Sequence, residues 1–154
     1  MKLSYDVVVV GGGPAGSMAA LEAAKGGASV CIFEKDREIG SPVRCGEAAG
    51  ESGLKQFVAI NDTWIAERIT GAKLGSPSGK LINIEFATET GYILNRKIFD
   101  YDLSRYAANA GSEVYTKAYV KDVLKDDGGV NGVIIDYLGK EYKIQAKIVI
   151  AADG

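Results

Sequence analysis

The first hydrophobic feature of the chain is Tyr5-Asp6-Val7-Val8-Val9-Val10, which ends in four consecutive valines with no polar alternation. A β-branched run of this kind is the pattern of a strand buried on both faces of a parallel sheet. Three glycines follow, and then Ala15 to Lys25 is alanine-rich and unbroken, which predicts a helix stopped by Gly26-Gly27. Ala28-Ser29-Val30-Cys31-Ile32-Phe33-Glu34 predicts a second strand. Strand, short glycine turn, helix and strand within about 30 residues make a βαβ unit.

Beyond Glu34 the pattern changes. Lys35 to Gly50 reads as a long loop around Gly40-Ser41-Pro42, and a loop of that length inside a compact domain points to function or disorder. Glu51 to Val58 predicts a short helix. Two strand-like pieces between Ile69 and Phe86 flank Ser76-Pro77-Ser78-Gly79, a hairpin turn, and Tyr92-Ile93-Leu94 is a further short strand. A helix from Asn95 to Ala110 places Phe99, Leu103, Tyr106, Ala107 and Ala110 on one face, with Gly111 as its stop. Glu113 to Lys125 and Val130 to Tyr137 read as strands about an Asp126-Asp127-Gly128-Gly129 turn. A last strand runs from Glu141 into Ile148-Val149-Ile150-Ala151-Ala152, which by its apolar run is central and buried.

Composition narrows the chemistry. With 154 residues, the chain can build one real core and little more. Eighteen basic against 20 acidic residues leave a net charge of −2, so there is no basic footprint for nucleic acid. Histidine is absent, which excludes Ser-His-Asp triads, Cys-His pairs and His-ligated zinc within this chain; no metal site is expected. Two cysteines, Cys31 and Cys45, are too few for a disulfide framework. Glycine, at 20 residues, is about twice its usual share of roughly 7%, so tight turns and close backbone approaches are needed somewhere. No uncharged run reaches the ~20 apolar residues of a membrane span, and the start reads as a folded, cytoplasmic strand.

Gly11-x-Gly13-x-x-Gly16 sits between the first strand and the first helix. One glycine makes the tight turn, one admits a pyrophosphate against bare backbone, and one lets the helix pack closely on the sheet. The helix N-terminus then offers N–H groups and a positive dipole end to phosphates. Glu34 ends the second strand 18 residues beyond Gly16, where a carboxylate accepts hydrogen bonds from an adenosine ribose diol and repels a 2′-phosphate. FAD or NAD therefore fits better than NADP. A dehydrogenase would continue with further βαβ units, whereas this chain turns to a loop, a hairpin and a strand-rich segment. The expected fold is α/β, a Rossmann-like FAD/NAD(P)-binding domain with a parallel central sheet plus an antiparallel hairpin and meander.

That order of elements resembles the flavoprotein hydroxylase and reductase superfamily. Within it, Gly40-Ser41-Pro42-Val43-Arg44-Cys45-Gly46-Glu47-Ala48 is similar to the flavin-contacting segment of the geranylgeranyl reductase family. Tyr92-Ile93-Leu94-Asn95-Arg96-Lys97-Ile98-Phe99-Asp100 resembles that family's Arg-x-x-Phe-Asp helix start. The likeness covers essentially the whole chain, closest to the archaeal lipid reductases. It implies FAD as cofactor and an isoprenoid lipid as substrate, whose double bonds are reduced, with an electron donor it does not specify. It also implies a cytoplasmic location with peripheral membrane contact. By the same resemblance Ala15 holds pyrophosphate and Glu34 ribose, with Pro14 and Lys35 beside them. Cys45, Gly46 and Ala48 line the flavin, Arg96 meets the cofactor, Val120 contacts the adenine end through its backbone, and Asp153 opens an Asp-Gly segment.

Chains of that family run well past twice this length. Residues 1–154 are accordingly expected to be the N-terminal part of an FAD-binding domain, binding FAD weakly and inactive alone. Cys45 has two readings: a reactive thiol favoured by Arg44, or a small side chain packed beside the flavin. Arg44 and Arg96 suit a diphosphate by their guanidinium forks, or are solvated charges. Cys31, between Val30 and Ile32, is expected to be buried and inert. An aromatic hydroxylase on the same scaffold, or a dinucleotide-binding module without turnover, stands as the alternative function.

Overall fold

A computed structural model describes residues 1–86 and 90–154. In chain order the elements are β1 (Ser4–Val10), α1 (Pro14–Lys25), β2 (Val30–Phe33), β3 (Ala48–Gly50), α2 (Glu51–Lys55), and a single 3-10 turn at Asp62–Trp64. There follow β4 (Ile65–Ile69), β5 (Gly71–Gly75), β6 (Leu81–Glu85), β7 (Gly91–Leu94), α3 (Arg96–Asn109), β8 (Glu113–Tyr115), β9 (Ala118–Asp126), β10 (Gly129–Tyr137) and β11 (Lys140–Ala151). The chain divides into two units, Met1–Val43 with Asp100–Gly154, and Arg44–Phe99.

The first unit is built on a six-stranded sheet of order β8-β2-β1-β11-β10-β9. β1 lies parallel to both β2 and β11, with Val8 opposite Cys31 on one side and Val149 on the other. β2 is also parallel to β8, whereas β10 runs antiparallel to β11 and β9. The valine run predicts this central place, and both its faces are covered. Val7 and Val9 pack with Ala20, Leu21, Val30, Ile32 and Ala107 beneath the helices. Tyr5, Val8, Cys31 and Phe33 pack with Ala118, Val133, Ile135, Ile144 and Ala146 of the antiparallel strands. Between Tyr5 and Val7 the side chains switch face, and there Asp6 and Val7 both donate their N–H to Ser29 O, at 2.9 and 3.1 Å. Burial pushes the Cys31 thiol up to about 12, so it is inert as expected.

Three sequence expectations need correcting here. Glu113 to Lys125 is not one strand: β8 joins β2 at one edge of the sheet, and β9 joins β10 at the other. The break falls at Lys117, which takes φ +56°, a left-handed conformation that strand propensity does not foretell. The last strand is central, but Ile148 on it is exposed. The helix after Gly50 stops at Lys55, short of Val58.

In the second unit β7 is the middle strand of the order β3-β7-β4. Trp64 is fully buried, edge-on to Phe99 with ring centroids 5.2 Å apart. Arg68 sits 5.2 Å above the Tyr92 ring and pairs with Asp62 at 2.6 Å. β5 and β6 form the predicted hairpin, whose turn is closed by Gly79 N–H donating to Ser76 O at 2.9 Å.

One polar cluster in the first unit sets a pH dependence. The hydroxyls of Tyr5 and Tyr115 both donate to Glu113 Oε2, at 2.8 and 2.7 Å, and Lys2 Nζ lies 3.0 Å from Oε1. The Tyr115 hydrogen bond is the largest cause that holds the Glu113 carboxyl down, to about 2. A depressed carboxyl stabilises the fold above its unfolded pKa near 4.5, and that contribution is lost as pH falls towards 2. Glu113→Gln is therefore expected to cost on the order of 1–3 kcal/mol at pH 7. In urea melts the gap between the two chains closes as pH falls through that window; a gap equal at pH 7 and at its acid end contradicts the account.

Candidate functional site

β1 ends at Val10 and α1 begins at Pro14, so three glycines reverse the chain. Gly11 takes φ +100°, and a Cβ there would lie 2.9 Å from Asp153 Cα and collide with Ala152 O. A Cβ on Gly16 would collide with Gly11 O and stand 3.1 Å from Val9 Cγ1, so helix and strand touch through bare backbone. Gly13 is different. It has extended backbone, φ −68° and ψ −177°, and nothing lies within 4 Å of where its Cβ would be. This is an open cradle beside the helix start. No side chain caps α1, and its first turn carries no carboxylate, so the positive end of the helix dipole is offered to an outside anion.

Glu34 closes the other side of the turn. Its Oε2 accepts from Gly12 N–H and its Oε1 from Asp36 N–H, each at 2.8 Å, which leaves lone pairs on both oxygens for further donors. The backbone around it is tied to the start of β9: Ala118 N–H donates to Glu34 O and Lys117 N–H to Asp36 O, at 2.8 and 2.9 Å. Val120 lies two residues further on, opposite Ile135, and Lys35 is exposed beside Glu34. Gly11, Gly13, Pro14, Ala15, Gly16, Glu34 and Asp153 are thus gathered at one end of the parallel strands, where such sheets bind ligands. The residues fit the adenosine diphosphate half of a dinucleotide: open backbone and a helix start for pyrophosphate, a held carboxylate for the ribose diol.

The remaining expected residues belong to the second unit. Cys45 is exposed, and its sulfur accepts from Glu47 N–H at 3.4 Å. Ala48 pairs with Ile93 across β3 and β7, and Leu94 N–H donates to Glu47 O at 2.9 Å. Asn95 O accepts from Ile98 and Phe99 N–H groups, which starts α3 at Arg96. β7 therefore brings the Cys45–Ala48 segment beside the helix start that carries Arg96. Nothing fills the space beside Gly46, and Arg44 is exposed. Sequence reasoning missed Gly12, whose N–H donates to the Glu34 carboxylate, Ser17, which holds the Gly12 carbonyl, and Ile39, which packs against Gly12. The available signal was Ile39, an apolar residue inside a polar loop.

A family model for FAD dependent oxidoreductases matches residues 6–154. The chain belongs to the FAD dependent oxidoreductase family. The family match makes FAD the cofactor of the chain. Members similar to the chain include digeranylgeranylglycerophospholipid reductase 1 of Methanococcoides burtonii, 44% identical over 100% of this chain and 38% of the relative. The enzyme of that name from Methanosarcina acetivorans is 45% identical over 100% of this chain and 39% of its own length. Among solved structures, a geranylgeranyl bacteriochlorophyll reductase-like protein from Thermoplasma acidophilum superposes with a TM-score of 0.88 at 42% identity. That match covers 98% of this chain and 39% of that one. The flavin-dependent brominase Bmp2 superposes with a TM-score of 0.73 at 28% identity, over 98% of this chain and 38% of its own. The chain thus spans about two fifths of the length of these relatives.

Two substitutions separate cofactor space from fold space. Gly13→Ala is expected to leave the thermal transition nearly unchanged and to weaken FAD binding, because its methyl enters only the cradle. Gly16→Ala is expected to lower the transition itself, because its methyl meets Gly11 O. Equal FAD affinity for Gly13→Ala and the parent in a flavin fluorescence titration contradicts the placement of the pyrophosphate. Glu34→Gln puts an amide N–H₂ against a backbone N–H, and FAD binding is expected to weaken by about 1–3 kcal/mol, the worth of a charge-assisted hydrogen bond. An unchanged dissociation constant would remove Glu34 from the ribose site.

Proposed function

We propose that this chain is the FAD-binding part of a reductase that saturates isoprenoid double bonds in membrane ether-lipid precursors. The observation that carries the reading is the 44–45% identity, along the whole chain, to digeranylgeranylglycerophospholipid reductases. The selective Pro42-Val43-Arg44-Cys45-Gly46-Glu47 segment supports it further. Bmp2, at 28% identity, speaks for a shared scaffold and less for a shared reaction.

Reduced FAD, when bound, supplies the hydride such a reaction needs. The residues of the first unit hold and orient the cofactor: the Gly13 cradle and the α1 start take the pyrophosphate, and Glu34 takes the ribose. By the family resemblance, Cys45, Gly46, Ala48 and Arg96 of the second unit would line the flavin. An isolated alkene has no electron sink, so its second carbon needs a proton donor, and we assign that proton to Cys45 Sγ. A glycerophospholipid substrate resides in a membrane, so the reading includes peripheral contact with its surface. No helix among the described residues is long and apolar enough to cross one.

The test is to give the intact flavoprotein, with chemically reduced flavin, a digeranylgeranyl glycerophospholipid and to weigh the product by mass spectrometry. A gain of two hydrogens per double bond is expected; an unaltered lipid with fully reduced, bound flavin overturns the reading. Cys45→Ser is expected to keep its flavin and to slow reduction by roughly 10²-fold, the scale of a lost general acid, because a hydroxyl is far less acidic than a thiol. Full turnover in that variant would leave Cys45 a packing residue.

A further inference from the structure

This inference rests on the FAD assignment and concerns how its ribose carboxylate is held. Gly12 is not one of the three spaced glycines, yet its peptide is gripped on three sides. Its N–H donates to Glu34 Oε2 at 2.8 Å, and its carbonyl accepts from Ser17 Oγ at 3.0 Å. Against its Cα stands Ile39 Cδ1, into which a Cβ on Gly12 would collide. The same Cβ position lies 3.4 Å from Glu34 Cβ and 3.5 Å from Glu34 Oε2. The isoleucine methyl and the carboxylate are therefore neighbours across Gly12.

Ile39 is out of character with its surroundings. Lys35, Arg37 and Glu38 before it are exposed, while Ile39 itself is only 7% exposed. The loop turns it inward through two ties. Ser41 N–H donates to Glu38 O at 3.3 Å, and Lys117 N–H holds Asp36 O at 2.9 Å. An apolar side chain driven inward at this point packs one side of the part-buried Gly12–Glu34 hydrogen bond, and lower local polarity strengthens such a bond.

We propose that Ile39 is a positioning residue for the adenosine ribose. Its δ-methyl, wedged on Gly12 beside Glu34, fixes the carboxylate in the orientation that accepts the ribose diol and repels a 2′-phosphate. Without that methyl, the carboxylate loses its packing on the Gly12 side and gains freedom to rotate. Diol binding weakens, and a 2′-phosphate is less strongly refused. Ile39 does not touch the cofactor and acts through Gly12 and Glu34.

Ile39→Val removes Cδ1 and little else; Ile39→Met returns a terminal methyl of similar reach. Each chain is titrated by calorimetry with ADP-ribose and with 2′-phospho-ADP-ribose, ligands that need only the first unit. The parent is expected to prefer ADP-ribose. Ile39→Val is expected to bind ADP-ribose about three- to tenfold more weakly while the 2′-phosphate ligand changes little, so that the preference narrows, and Ile39→Met is expected to restore it. A preference unchanged in Ile39→Val, whether both ligands weaken equally or neither does, overturns the proposal and leaves Ile39 as packing. A parent chain that binds neither ligand overturns the FAD assignment and this proposal with it.

Discussion

Between a central strand and the helix that packs on it, three residues must reverse the chain, and side chains leave no room for the reversal. Gly11 passes against the end of β11 at φ +100°, and Gly16 lets the first turn of α1 rest on Gly11 O. With a Cβ at either position, helix and strand would separate, and the peptide groups of the turn would no longer converge on one point. The uncapped helix start at this end of the sheet is a consequence of this close approach. Gly13 is the one glycine of the motif with free space beside it, room that a ligand can use.

The rest of the first unit keeps that reversal in place. β1 is held in parallel register from both sides, and its valines are covered on both faces. α1 approaches closely because its sheet-facing side is small, with Ala20 and Ser17 fully buried. Ser112 donates from the end of α3 to Ala20 O at 3.2 Å, which ties the two helices together. Glu34 links the turn to β2 and, through its own backbone, to the start of β9. The Glu34 carboxylate is thereby part of the same hydrogen-bonded frame as the glycine turn.

Much of this was legible in the sequence because it depends on local constraints. The valine run, the spaced glycines, the alanine helix and Glu34 each have one physical reason to stand where they do, and their spacing alone predicts the βαβ unit. The hairpin turns at Ser76–Gly79 and Asp126–Gly129 were legible for the same reason. What was not legible depends on partners distant in sequence. β3 is Ala48-Ala49-Gly50, which has no strand propensity and exists because β7 pairs with it. β4 reads Ile-Ala-Glu-Arg-Ile with an exposed middle, so no alternation marks it. The division of 113–125 between opposite sheet edges turns on one left-handed residue, Lys117. The grip on Gly12 joins residues 12, 17, 34 and 39, a set with no common spacing.

The central claim is that the glycine turn of the first unit, with Glu34, holds the adenosine diphosphate half of FAD. The most direct measurement is an FAD titration of the isotopically labelled chain followed by amide chemical shifts. The account predicts that the largest changes fall on Gly12, Gly13, Ala15 and Gly16 and on Asp36, whose N–H groups line the turn or hold Glu34, while the β10–β11 hairpin at Leu138 and Gly139 stays still. Saturable FAD binding that leaves the amides of Gly12, Gly13, Ala15 and Gly16 unmoved would contradict it.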